Sequence, residues 1–511
     1  MIRPKFNLSK STGILIILLA IATTLRAADR TFIGYISDKS CGLNIDKDCN
    51  KKCFDMGRAP VLVLDGSGEI LDVDNPRLFK AHPGEHVRVV GSRNGTNLHA
   101  VSLRVIKESQ RSQRTAPQAE QQHSAPRPPS VADVAVPGIQ LPNGQMSIQL
   151  PFKILGNAPY AQVTINGRGP FVFEIDTGSS NSPIARESAE EMGLDPRPGA
   201  GTGQVATVGF ADNLTVPIRA VFASFAGLYA VPGRRIYGDV GANILKNFVV
   251  KFDYENEVLT LFDPKQFHYS GDGTTIPFVL EAGYDPQFEG EFTVGDGPPI
   301  PAKFTIDTGA GGTIVSVPLV KEHDLLKRVT QQVPLPPSKP LVDGVNGLVY
   351  ESITGRITSI TFGKYTLDKP LVALSRDSGT IFATEALGIN LGGNILRRFN
   401  LFIDYPGNRI ILEPNSHFHD PFLADASGLV LTAKGSDFRT FEVHGVVAGS
   451  PADECGIKEG DIITSIDGES TDRYALFQIQ DLFKQAGTQR RLTIRRGEQI
   501  LAVSINLRAL A

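Results

Sequence analysis

The sequence has no tryptophan, only four cysteines in 511 residues, and no marked excess of either charge. The formal net charge of −3 argues against nucleic acid as a partner, because that calls for a strongly basic face. The missing tryptophan decides nothing about function. Past residue 28 no apolar run reaches the roughly 20 residues that a membrane-spanning helix needs. Three cysteines cluster, at Cys41, Cys49 and Cys53, and Cys455 stands apart. A metal at the cluster would want a fourth ligand, and the loop 42–48 offers no histidine. A disulfide among Cys41, Cys49 and Cys53 is the expectation for an exported chain. Three sulfurs leave one over, and the pairing cannot be read from the sequence. Cys455 lies in an apolar turn and reads as a buried small residue.

What is present points to several domains rich in strands and turns. Glycine is abundant, and the length suits more than one core. Arg3, Lys5 and Lys10 precede an apolar stretch at 13–22, followed by small residues ending at Ala27 and Ala28. This reads as a secretory signal over 1–28, placing the chain in the periplasm or outside the cell. The alternative is an uncleaved signal that tethers the chain to a membrane. Residues 29–107 hold short strand candidates at 31–36, 61–64, 87–90 and 98–105, with turns at Asp65-Gly66 and Asn94-Gly95. Residues 108–142 are rich in Gln, Ser, Pro and Arg, without apolar periodicity, and read as a flexible linker.

From 143 to 415 the chain repeats itself. F-V-F-E-I-D-T-G at 171–178 is answered by A-K-F-T-I-D-T-G at 302–309, 131 residues later. G-A-N-I-L from Gly241 is answered by G-G-N-I-L from Gly392, 151 residues later, and both run on to Asp-Tyr, at Asp253-Tyr254 and Asp404-Tyr405. A unit this long is a duplicated lobe rather than a solenoid repeat. Lobe 1 covers about 143–265 and lobe 2 about 266–415. Much of the extra length in lobe 2 is expected at the Pro-rich 333–340. Helices are expected at 185–192 and 319–326, and strands at 160–166 and 288–294. Asp253 and Asp404 read as structural turn residues.

Two acids, each at a strand end and each followed by Thr-Gly, suggest a paired-carboxylate catalyst. Two carboxyls a few ångströms apart cannot both ionise, so they share one proton. The ionised member can activate a water and the protonated member can act as general acid. Glycine after threonine permits the tight turn that presents each acid. A lone Asp-Thr-Gly would be an exposed turn; two copies, each with the same downstream motif, favour catalysis.

These residues resemble the aspartic proteases, of retropepsin-like and pepsin-like type, over about 144–414. The resemblance implies that Asp176 and Asp307 are the catalytic pair and that Thr177 and Thr308 lock the two loops together. Gly178, Ser179, Gly309 and Ala310 would complete the loops. Val240-Gly241 and Leu391-Gly392 look like the family's supporting apolar-Gly motif, although residue 239 is Asp, so the first copy is only partial. Ser179 in one loop against Ala310 in the other leaves open which aspartate holds the proton. Flap candidates are 199–209 and 344–350, with Tyr350 read as a packing residue. The resemblance implies peptide or protein substrates, no metal or other cofactor, and one chain sufficient for catalysis.

The run S-P-A, then G-I-K-E-G-D-I-I-T-S-I-D-G ending at Gly468, resembles the core of a PDZ domain, covering about 425–509. A helix is expected at 472–485, with Asp472 as N-cap. The resemblance implies a C-terminal peptide ligand, its carboxylate received near Gly428 and Leu429 and its side chains by Leu429, Leu431 and Leu476. The alternative is a PDZ-like unit that merely packs on the lobes. G-Y-I-S-D-K-S-C-G with Cys49-x-x-x-Cys53 resembles a small OB-like barrel of exported bacterial proteins, a binding or spacer module. The expected fold class is therefore mostly β: a small N-terminal β-barrel, a duplicated two-lobe acid-protease fold and an α+β PDZ unit. The expected function is an exported aspartic endopeptidase; the alternative is an exported peptide-binding scaffold without turnover.

Overall fold

The computed structural model of the protein describes residues 30–38, 47–106 and 139–510, except 56, 65–69, 95, 140, 197–203, 212–213, 231, 330–331, 334–350, 377–380 and 384–385. The signal segment, Cys41, the linker up to 138, the Pro-rich insertion past Val333, and the flap candidate 344–350 with Tyr350 lie outside the described residues. The flap candidate 199–209 is described from Gln204 onward.

The N-terminal unit closes into a barrel. Its strands are β1 (Arg30–Asp38), β2 (Pro60–Leu64), β3 (Ile70–Val73), β4 (His86–Asn94) and β5 (Asn97–Val105), in the order β1-β2-β3-β5-β4 and back to β1. Closure removes the sheet edges that a short β unit would otherwise expose. Ile36, Leu62, Leu71, Phe79, Val87 and Val89 fill its interior. The helix Lys47–Asp55 carries Cys53, which is buried. The disulfide expectation is described only as far as Cys53, since the Cys49 side chain and Cys41 lie outside the described residues.

The two lobes are joined by a shared sheet. Along Ser147–Leu155 the residues Ile148, Leu150 and Phe152 turn inward between more exposed neighbours, the alternation of a half-buried strand. The strand Val249–Asp253 of lobe 1 pairs antiparallel with Phe399–Asp404 of lobe 2, placing Val249 opposite Asp404 and Asp253 opposite Asn400. Val258–Phe262 and Ser147–Leu155 extend the sheet on one side, and Arg409–Pro414 and Thr274–Pro277 on the other. Asp253 and Asp404 tie the hairpin turns here: they accept from the N–H groups of Asn256 at 3.0 Å and Gly407 at 2.9 Å. Leu141, read from the sequence as linker, is buried in the core of the lobes.

The helix expected at 185–192 is a 3-10 helix, Arg186–Met192, ended by Gly193 in the left-handed region. The helix expected at 319–326 is two, Val317–Glu322 and Leu325–Arg328, because Asp324 between them has φ 49°. After the lobes, Arg398 is almost wholly buried and binds the segment that leads away. Its Nε donates to Asn394 O, its Nη1 to the carbonyls of His417, Phe418 and Asp420, and its guanidinium lies 3.6 Å from the Phe422 ring centre.

The C-terminal unit is a sheet in the order Leu429–Lys434, Thr440–Val446, Ile462–Ile466, Gln489–Arg496, Gln499–Asn506, closed over by one helix. That helix is Leu476–Phe483, shorter than expected. Asp472 sits in a preceding 3-10 turn rather than at its N-cap. The Gln478 side chain takes over the capping, accepting from the Ala475 N–H at 2.7 Å. The unit touches lobe 1: the Ala433 N–H donates to Ala230 O at 3.0 Å, and the rings of Phe438 and Tyr229 meet edge to face with centres 6.2 Å apart. Among the described residues no helix is long and apolar enough to cross a membrane.

Candidate active site

Asp176 ends the strand Arg168–Ile175, and Asp307 ends Ile300–Ile306. Each of those strands is held at its end by a parallel neighbour: Ile175 lies opposite Val240, and Ile306 opposite Leu391. The Asp176 N–H donates to Val240 O at 3.0 Å and the Asp307 N–H to Leu391 O at 3.1 Å. The two copies of the repeat are thus superposed around one centre.

The threonines join the loops. The Thr177 N–H donates to Thr308 Oγ1 at 3.1 Å, and the Thr308 N–H to Thr177 Oγ1 at 3.0 Å. Each hydroxyl then donates to the backbone of the other lobe, Thr177 to Ile306 O at 2.9 Å and Thr308 to Ile175 O at 2.6 Å. Both side chains are fully buried. Neither loop can move by itself without orphaning buried polar groups.

The glycines after the threonines receive the opposite acid. A Cβ at Gly178 would stand 2.7 Å from Asp307 Cγ, and one at Gly309 would stand 2.5 Å from Asp176 Cγ. Each carboxyl therefore lies against the other loop's backbone, and the pair is brought together. The Gly178 N–H donates to Asp176 Oδ1 at 2.8 Å, and the Ala310 N–H to Asp307 Oδ1 at 3.0 Å. Ser179 turns away from the acids and donates to Asn181 O at 2.9 Å.

Gly241 and Gly392 support the loops from below. A Cβ on either would lie about 2 Å from a backbone carbonyl, 1.9 Å from Asn181 O and 2.2 Å from Gly312 O. Ser182 Oγ accepts from the Gly241 N–H at 3.0 Å and donates to Asn243 at 2.8 Å; Thr313 and Asn394 repeat this in lobe 2, at 3.2 and 2.8 Å.

Glu174 was not singled out from the sequence, and Asp239 was noted only as a departure from the apolar-Gly motif. In lobe 1 Glu174 lies opposite Asp239; in lobe 2 the equivalent pair is Thr305 and Asn390. The same offsets of 131 and 151 residues that reveal the repeat locate both pairs. Asn390 Nδ2 donates to Asp307 Oδ2 at 2.6 Å. Asp239 is buried, and its Oδ1 has no hydrogen-bond partner. Burial, then Asp307, then Asp239 and Glu174, push the Asp176 carboxyl well above the usual range. Burial and then Glu174 do the same to Asp239. Burial pushes Glu174 up to about 8, against a hydrogen bond with Tyr160. In lobe 2, burial also raises Asp285, while Arg58 of the barrel draws it back down.

The PDZ-like groove differs from expectation. The N–H groups at its carboxylate end are engaged: those of Ser427 and Gly428 donate to Asp425 Oδ1, at 2.9 and 2.6 Å, and that of Leu429 donates to Ser427 Oγ at 3.0 Å. Gly428 is held at φ 79° against Ser450. Leu429, Leu431 and Leu476 are buried in the unit's own core. The expectation that Gly428 and Leu429 present open donors is therefore corrected: the local Asp425–Ser427 turn takes them. Among the described residues no group of three or more His, Cys, Asp or Glu side chains could hold a metal ion.

The aspartyl protease family matches over residues 161–227, and the PDZ domain family over 442–496. The fold is mostly β. Among curated proteins, serine protease HTRA1 of Xenopus tropicalis is 42% identical over 60 residues, 12% of this chain. The match covers 13% of that relative's length. Among solved structures, the aspartic proteinase from Irpex lacteus is 13% identical with TM-score 0.36, covering 54% of this chain and 99% of that one. The HtrA3 PDZ domain bound to a phage-derived ligand is 22% identical with TM-score 0.15, covering 16% of this chain and 85% of that one. The photosystem II D1 C-terminal processing protease gives 22% identity and TM-score 0.15, covering 16% and 22%.

Proposed function

We propose that the protein is an exported aspartic endopeptidase that hydrolyses peptide bonds with a water activated between Asp176 and Asp307. The observation that carries this reading is the placement of each carboxyl against the other loop's glycine, with Thr177 and Thr308 bonded to each other beneath. A shared proton lets one carboxylate take a proton from water while the other donates toward the scissile carbonyl oxygen. The threonine lattice holds this geometry before substrate arrives, so little ordering is left for the reaction step. No cofactor enters the mechanism. Both acids belong to one chain, so a monomer is catalytically complete. Substrates are peptides or proteins, and the PDZ domain recruits them. The N-terminal unit is an OB-like binding or spacer module, exported with the rest after removal of 1–28.

The test is hydrolysis of an unbiased peptide library from acidic to neutral pH by wild type, Asp176→Asn and Asp307→Asn. Cleavage by wild type and by neither variant is the expected result. Cleavage that persists in either variant overturns the dyad assignment. Peptide binding without turnover in wild type replaces the reading by that of a peptide-binding scaffold. Recruitment is tested on long protein substrates after deletion from Ser427 onward, where an unchanged rate would remove the PDZ domain from the reading.

A further inference from the structure

The two halves of the site differ at a pair of pseudo-equivalent positions beside the acids. In lobe 2 the position is Asn390, whose amide donates to Asp307 Oδ2 at 2.6 Å. In lobe 1 it is Asp239, buried, with Oδ1 unpartnered. The strand residue opposite repeats the difference, Thr305 in lobe 2 and Glu174 in lobe 1. An amide N–H beside a carboxylate favours its charged form; a second and third carboxyl beside it favour the neutral form.

We propose that Asp239 and Asn390 set the polarity of the dyad: the charge rests on Asp307, under the Asn390 amide, and the shared proton rests on Asp176, beside Asp239. This rests on the catalytic reading of Asp176 and Asp307. Asp239 is a positioning residue, since it acts through Asp176. In the ground state Asp307 is then the base that takes the proton from water, and Asp176 the acid that donates to the carbonyl oxygen. The difference between Ser179 and Ala310 does not decide this, because Ser179 bonds Asn181 O rather than an acid.

Among the described residues, the titratable groups that bear on Asp239 or that it bears on are acids and a phenol. Glu174 comes from the paired strand, Asp176 and Asp307 from the two loops, and Tyr160 from the next strand. Arg234 lies beyond, acting on Tyr160. Burial and these neighbours raise the proton affinity of Asp239 and Asp176 alike. The site is therefore expected to keep its single shared proton to a higher pH than a dyad flanked by amides on both sides.

The experiment compares the pH profile of kcat/KM for wild type, Asp239→Asn and Asn390→Leu. Asparagine is a fair replacement at 239, because Asn390 occupies the equivalent place. Asp239→Asn is expected to bring the basic limb down by one pH unit or more, a tenfold loss at a fixed pH on that limb. Asn390→Leu is expected to raise the acidic limb. A uniform fall in rate with both limbs unmoved is the signature of a merely structural residue and overturns the proposal.

A second readout needs no turnover. The raised proton affinity of folded Asp239 is a stabilising contribution that is complete below the unfolded value near ~4 and lost as pH rises. The Tm difference, Asp239→Asn minus wild type, is therefore expected to grow from pH 4 to pH 8. A difference that stays constant overturns the proposal even if the enzyme shows no turnover. Asp176→Asn and Asp307→Asn in the same assay keep the two levels apart. Cleavage surviving in either sinks the catalytic reading; cleavage lost in both, with the Asp239→Asn limbs unmoved, sinks only the role of Asp239.

Discussion

Thr177 and Thr308 bond to each other twice, each backbone N–H donating to the other's hydroxyl. Because each hydroxyl also donates to a carbonyl across the interface, one substitution removes an acceptor and a donor together. Thr177→Val keeps the shape but leaves the Thr308 N–H and Ile306 O buried without partners. The expected cost is roughly 1–3 kcal/mol, read from the midpoint of urea unfolding. Thr177→Ser, which retains the hydroxyl, is expected to recover most of it.

Gly178 and Gly309 are where the acids leave no room for a side chain. Gly309→Ala would drive its methyl into Asp176 Cγ, 2.5 Å from the ideal Cβ position. Displacing a reacting group by about 1 Å costs on the order of 10²-fold in rate. A loss of that size in kcat/KM, with a circular dichroism spectrum like wild type, is the expected outcome. Gly312→Ala in the same loop is the control, since its methyl would meet nothing within 4 Å; its activity should stay near wild type.

Glu174 gives the fold a pH dependence of its own. Its folded pKa is raised by burial to about 8. The sign follows: its contribution to stability is complete below the unfolded value near ~4.3 and is lost as pH climbs toward 8. Wild-type Tm is expected to fall across that window, and Glu174→Gln, which retains a partner for Tyr160, is expected to shrink the fall. A thermal-shift series in matched ionic strength measures it.

Arg398 donates to five backbone carbonyls from a nearly fully buried position. Lysine carries three donors at a single point and cannot span that set. Arg398→Lys is expected to cost roughly 2–4 kcal/mol, from more than one carbonyl left unpaired. It should also make the segment around 417–422 the first site cut in limited proteolysis, because that segment loses the group it is tied to.

The duplication was legible in the sequence because both copies keep their strand, their Asp-Thr-Gly and their Gly-x-Asn-Ile-Leu at constant offsets. Those offsets also held the asymmetry of Asp239 and Asn390, but a matching position attracts notice and a mismatch reads as decay. Local periodicity could not foresee Asp324 in the left-handed region, which splits one apolar helix pattern into two short helices. The filled donors at Gly428 escaped it for a different reason. An apolar, glycine-containing strand start specifies a turn, whereas which carboxyl occupies that turn depends on Asp425 three residues upstream. The contact of Ala230 with Ala433 was beyond reach, since loop-to-strand pairing leaves no periodic trace.

The ladder between Val249–Asp253 and Phe399–Asp404 makes each lobe the missing edge of the other. Cut the chain near residue 265, and lobe 1 would present a bare strand whose backbone groups want a neighbour. A half-length fragment is thus adhesive by construction, and the second copy in the same chain is what blunts it. The same ladder is a shared floor, so the halves cannot part like jaws without tearing it.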